Sequence, residues 1–80
     1  MIASEYARTK LLETVGALLS EDDVRLEDNF VELGGNSILA MKVARVLETE
    51  ANVRIDVSEL LGDRIANITI TEIAAKGGRV

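Results

Sequence analysis

The chain has 80 residues, of which 48% are hydrophobic, with no proline, cysteine or histidine, and its 14 acidic against 9 basic residues give a formal charge of -5. That length bounds one domain, residues 1–80, whose core is small enough that every apolar face is needed. The missing cysteine and histidine exclude disulfide staples, thiolate zinc sites and the commonest metal ligand, and the acidic balance disfavours nucleic-acid binding and favours basic partner surfaces.

With one Phe and one Tyr, the core must come from Leu, Ile, Val and Ala, a mix that suits short packed helices. The expected fold is all-α: a small four-helix bundle of three main helices plus one short helix, with a long loop between helices 1 and 2. The start, Met1-Ile2-Ala3-Ser4-Glu5-Tyr6, lacks a basic and then apolar signal region. No segment approaches the roughly 18 uninterrupted apolar residues of a membrane span, so a cytoplasmic protein that avoids the membrane is expected.

Ser4 reads as the N-cap of a first helix ending near Leu19, with Leu11, Val15 and Leu19 forming a stripe flanked by Leu12 and Leu18. The connection from Ser20 to Asn36 exceeds the roughly 12 to 15 residues beyond which a structureless loop is uncommon and usually functional. Val24, Leu26, Phe30 and Leu33 are spaced within it as anchors to the core. A second helix spans Ser37 to Glu50, and Ala51-Asn52 ends its pattern. Asp56-Val57-Ser58-Glu59 is a capping box, with Asp56 bonding a first-turn amide and Glu59 reaching back, and it opens a short third helix ended by Gly62. Thr69-Ile70-Thr71-Glu72 repeats that pattern and predicts a last helix through Ala75, stopped by Gly77-Gly78. Between the two, Ile65 and Ile68 are expected to dock the connection on the core.

On the second helix, Leu39, Ala40, Val43, Val46 and Leu47 share one side at about 100° per residue, a normal core stripe. Ile38 and Met41 fall on the opposite face with Lys42, Arg45 and Glu48, the side to which Ser37 points. Exposed apolar residues beside a presented hydroxyl suggest a docking patch with an adaptable methionine and a polar rim of Lys42 and Arg45; burial of both by a neighbouring element is the alternative.

Ser37 itself follows the glycine-bearing Leu33-Gly34-Gly35-Asn36 and opens a helix. Without histidine the chain lacks the usual base for activating a serine, so this hydroxyl is expected to be acted upon and no catalytic residue is assigned. Gly35-Asn36-Ser37-Ile38-Leu39 is not a nucleophile elbow, and no phosphate-binding loop ending in Lys-Ser or Lys-Thr occurs. Glu21-Asp22-Asp23 with Glu27 and Asp28 lacks the alternating ligands and central glycine of a calcium loop, so it reads as solvated and no metal is assigned. Asn67-Ile68-Thr69 matches a glycosylation acceptor but, without a secretory signal, reads as the approach to the last helix.

The run from Asp28-Asn29-Phe30 through Leu33-Gly34-Gly35-Asn36-Ser37 to Ile38-Leu39-Ala40-Met41 resembles the signature of peptidyl carrier proteins, the thiolation domains of nonribosomal peptide synthesis within the acyl carrier family. The likeness extends over most of the chain. It implies that Ser37 receives a 4'-phosphopantetheine arm from a phosphopantetheinyl transferase using coenzyme A, and that the arm holds an aminoacyl or peptidyl thioester. It further implies an adenylation enzyme as loader and condensation, tailoring or thioesterase enzymes downstream, in nonribosomal peptide or related natural product pathways such as antibiotic biosynthesis. Such a phosphoprotein would act as a monomeric carrier without catalytic activity of its own. Asn36, Ile38, Met41, Lys42 and Arg45 are the expected partner-binding residues.

Two positions depart from the pattern: Asn36 stands where peptidyl carriers usually have His or Asp, and Gly62 to Ile68 is longer than the usual link and lacks its frequent proline. The paired glycines favour the peptidyl branch. The alternatives are an acyl carrier for polyketide or fatty acyl chains and a helical interaction module that binds without a covalent group. The initial Met and the lack of linker sequence favour a free-standing protein, although an excised domain would read the same.

Overall fold

A computed structural model describes residues 2–73. Helix α1, Ile2–Leu19, packs against α2, Ser37–Glu50, and after strand β1, Val53–Ile55, comes the short helix α3, Val57–Gly62. A single 3-10 turn, Ile65–Asn67, then leads to strand β2, Ile70–Glu72. The two strands pair antiparallel with Val53 opposite Glu72, Arg54 opposite Thr71 and Ile55 opposite Ile70.

The expected apolar stripes form the core. Leu11 and Val15 of α1, joined by Ala7, which was not in the expected stripe, meet Ala40, Val43 and Leu47 of α2, and Leu60, Ile65 and Ile68 close the layer, as the sequence suggested for both isoleucines. Leu12, Leu18, Leu19 and Leu39 are half-buried against this cluster. Val46 is also half-buried, at the edge of the core stripe and beside Leu18. The second helix has the expected bounds, and its end is local chemistry: Asn52 follows the C-cap Ala51 with a φ of 59°, a left-handed conformation that Asn tolerates better than most residues.

Several expectations are corrected. Among the described residues the expected all-α four-helix bundle does not appear: there are three α-helices, a 3-10 turn and a two-stranded sheet. Residues 70–72, predicted as helix, form β2; the rest of that predicted helix, through Ala75 with the Gly77-Gly78 stop, lies outside the described residues. Two causes combine here. Ile68-Thr69-Ile70-Thr71 is a run of β-branched residues that resists helix and suits a pleated surface. In addition, Glu59 takes both hydrogen-bond donors of Thr69, accepting from its amide at 2.7 Å and from its hydroxyl at 3.2 Å. The residue expected to cap a last helix is therefore occupied by α3.

The same contacts correct the third helix in part. Asp56 is its N-cap as expected, accepting from the amides of Ser58 and Glu59, while Glu59 reaches forward to Thr69 and not back to the cap. Ser4 does not start α1, because the helix already runs from Ile2. In the long loop, Phe30 is fully buried and Val24 and Leu33 rest on the core, but Leu26 is 40% exposed and anchors nothing by its side chain. Its main chain does, since the Leu26 carbonyl accepts from the Ala66 amide at 2.8 Å.

Candidate functional site: a presented serine

The approach to Ser37 is a single hydrogen-bonded turn. Asn29 acts as an N-cap, its Oδ1 accepting from the amides of Val31 at 2.9 Å and Glu32 at 3.2 Å. The Leu33 amide then donates to the Asn29 carbonyl at 3.1 Å, closing one α-type turn. At its far end Gly35 donates to the Phe30 carbonyl at 3.0 Å and Gly34 to the Val31 carbonyl at 2.9 Å, the pair of bonds with which helices commonly terminate. Both glycines are required, for different reasons. Gly34 has a φ of 109°, which side-chain-bearing residues rarely adopt. Gly35 lies against the Phe30 ring, so a Cβ there would overlap the ring carbons.

The chain leaves this turn extended at Asn36, with φ -144° and ψ -178°, and Asn36 caps α2 by accepting the Leu39 amide on Oδ1 at 2.9 Å. The Asn36 carbonyl accepts from Ala40 at 2.8 Å. Ser37 is the first residue of α2 and is exposed. Among the described residues its hydroxyl joins no hydrogen bond, and the Ser37 and Ile38 amides find no acceptor. Unpaired amides at a helix start favour a negatively charged group there by about 0.3 to 1 kcal/mol at an exposed site. Ser37 thus stands open at the helix start, in a chain with no histidine to act as a base.

The other assigned residues surround it. Ile38 is 62% exposed and Met41 57% exposed, as the helical phase required, and Lys42 and Arg45 are exposed beside them. With Leu18 and Val46 these four line an open groove of about 580 Å³ on the surface between the two long helices. Asn36 is exposed too, but its side chain is committed to capping.

Titration shifts occur away from Ser37. The Ser58 hydroxyl and the amides of Glu59 and Ser58 hold Asp56 below the usual carboxylate range, and the Asn67 side chain and the Arg64 amide do the same for Asp63. The acidic stretch of the loop is partly used locally, with Asp23 paired to Arg25 at 3.0 Å and Asp28 accepting the Arg25 amide at 2.9 Å. Among the described residues no three His, Cys, Asp or Glu side chains are grouped to hold a metal ion, and no helix is long and apolar enough to cross a membrane.

Asp28 and Asn29 belong to the resembling run, but their structural role was missed from sequence. Asp28 and Asn29 are tied to the connection after α3, the Ile65 amide donating to the Asp28 carbonyl at 2.9 Å and Asn29 bridging to Arg64. The available signal was an Asn five and six positions ahead of Gly34-Gly35, an N-cap and a C-terminal glycine spaced for a single turn.

A serine exposed at a helix start behind a glycine-bearing turn defines a class of site. Comparison with known families gives that class a name: residues 9–75 match the phosphopantetheine attachment site family, and the chain belongs to it. The cofactor implied is covalently attached 4'-phosphopantetheine. The chain is also 44% identical over 62 residues to the nonribosomal peptide synthetase ivoA of Emericella nidulans; the match covers 78% of this chain and 4% of that protein. No solved structure matches.

Proposed function

We propose that this chain is a peptidyl carrier: Ser37 bears the 4'-phosphopantetheine arm, and the domain carries an aminoacyl or peptidyl group between enzymes of nonribosomal peptide synthesis or a related pathway. The observation that carries the attachment point is the exposed, unbonded Ser37 hydroxyl at a helix start whose first two amides lack acceptors. These groups fit a phosphodiester, since the amides meet its charge and Gly34 and Gly35 add no side chain to the approach to the serine. When attached, the arm supplies a terminal thiol that holds the cargo as a thioester.

Support for the peptidyl branch comes from Gly34-Gly35 before Asn36-Ser37 and from the likeness to a synthetase. Ile38, Met41, Lys42 and Arg45 form the surface offered to a phosphopantetheinyl transferase, an adenylation enzyme and downstream condensation, tailoring or thioesterase enzymes. An apolar pair with a cationic rim suits partners that bury Ile38 and Met41 and place acidic groups near Lys42 and Arg45.

The test is a mass measurement on the intact protein after incubation with a transferase and coenzyme A. Wild type should gain one arm and Ser37→Ala none; an arm on the alanine variant would move the attachment elsewhere. Offered both an adenylating enzyme with amino acid and ATP and a malonyl-delivering transferase, the armed protein should take aminoacyl cargo. Malonyl loading without aminoacyl loading would place it in the acyl branch.

A further inference from the structure

We infer that Asn29 is a positioning residue for Ser37, acting through the single turn that separates them; the inference rests on the carrier reading given above. Asn29 is half-buried and lies eight positions before the serine. Every link between the two is a named bond. Its Oδ1 accepts the Val31 and Glu32 amides, its carbonyl accepts the Leu33 amide, and the carbonyls of Phe30 and Val31 in the turn so started accept the amides of Gly35 and Gly34. Gly35 is followed directly by Asn36 and Ser37, and it is held against the Phe30 ring with no room for a side chain.

The other end of the linkage is fixed by the connection after α3. Asn29 Nδ2 donates to the Asp63 carbonyl at 3.4 Å, Asn29 pairs with Arg64 in an isolated bridge, and the Ile65 amide binds the Asp28 carbonyl. Asn29 thus bonds in two directions at once, accepting from the turn and donating to the segment that docks on the core. Asparagine alone among the good N-cap residues combines a side-chain acceptor with an amide donor. Losing it releases the first amides of the turn and loosens the reference against which Ser37 is placed, while α2 keeps its own cap at Asn36.

The test compares Asn29→Ala, Asn29→Ser and, as a control, Asp56→Ala, which removes a cap of the same kind from α3. Arm transfer to Asn29→Ala should fall about fivefold to tenfold in kcat/KM, the factor to which a cap's usual worth converts. Asn29→Ser restores the acceptor and should recover most of the rate. Asp56→Ala should leave transfer within about twofold of wild type, while losing comparable thermal stability. Amide exchange in the unmodified protein gives a second measurement: Asn29→Ala should lose protection at Val31, Glu32, Gly34 and Gly35 and shift the Ser37 resonance. Wild-type transfer rates in Asn29→Ala, or equal slowing by Asp56→Ala, would overturn the inference. If wild type accepts no arm, the carrier reading fails, and the exchange data then decide the positioning alone: an unshifted Ser37 in Asn29→Ala overturns it.

Discussion

At the scale of residues, surface side chains and structural ones separate cleanly around Ser37. Ile38 and Met41 are more than half exposed, although burying such side chains would contribute about 1.5 to 3 kcal/mol each. Met41→Glu should therefore leave the melting temperature within a few degrees of wild type, while slowing arm transfer or cargo loading severalfold; calorimetry and a loading time course check the two halves. Helical spacing in the sequence was enough to place these residues, because a helix repeat fixes relative direction whatever surrounds it. Leu26 shows where that logic stops. It is as apolar as Leu33, but no periodicity orients a side chain in an irregular loop, and it faces solvent.

At the scale of elements, the turn ahead of Ser37 depends on one ring. Phe30 is fully buried and carries Gly35 on its face. Phe30→Ala should cost about 3 to 5 kcal/mol in denaturant unfolding, with Gly35→Ala a companion case in which the added methyl forces the turn and ring apart at about 1 to 3 kcal/mol. Asp56, the N-cap of α3, and Asp63, which accepts from the Arg64 amide and the Asn67 side chain, give a pH signature. Asp56 and Asp63 both titrate below their ordinary range, because hydrogen bonds favour their charged forms. For groups lowered by folding, the stabilisation is complete above the unfolded value of about 3.9 and is lost as pH falls through the folded values. Thermal melts should thus be flat in this respect near neutrality and decline below about pH 4, and Asp56→Asn with Asp63→Asn should flatten that decline.

Across the whole molecule, Arg8 joins parts that lie far apart in the chain. From α1 its Nη1 donates to the carbonyl of Ile65 at 3.3 Å and of Ile68 at 2.7 Å, holding the segment that in turn pins Asp28 and Asn29. Removing the guanidinium leaves two part-buried carbonyls without this donor, so Arg8→Ala should lose on the order of 1 to 3 kcal/mol. Arg8→Lys should recover only part of it, since an ammonium lacks the planar set of donors. Urea unfolding of the three proteins measures both differences. The pair of half-buried Lys10 with exposed Glu50, at 2.7 Å, also spans α1 and α2, but with its carboxylate in solvent it is screened by water and salt, and Lys10→Ala should lose no more than about 1 kcal/mol in the same experiment.

Sequence alone determined α2 to the residue, α3 with its Asp56 cap, the core stripes and the exposed serine after two glycines, because each follows from local spacing, capping or the lack of a side chain. It also determined that Ser37 lacks a histidine partner, a matter of composition. Tertiary structure decided the rest. The β-branched residues disposed Ile70–Glu72 to a strand, but the edge offered by Val53–Ile55 and the capture of Thr69 by Glu59 decided it, and neither of these contacts is visible within the Thr69-to-Glu72 window that reads as a capping box. Likewise the role of Asn29 needed the carbonyl of Asp63 and the backbone of Arg64 to arrive from more than thirty residues away. Local patterns specify what a segment does with its own amides; partners distant in sequence decide which of several satisfactory local choices survives.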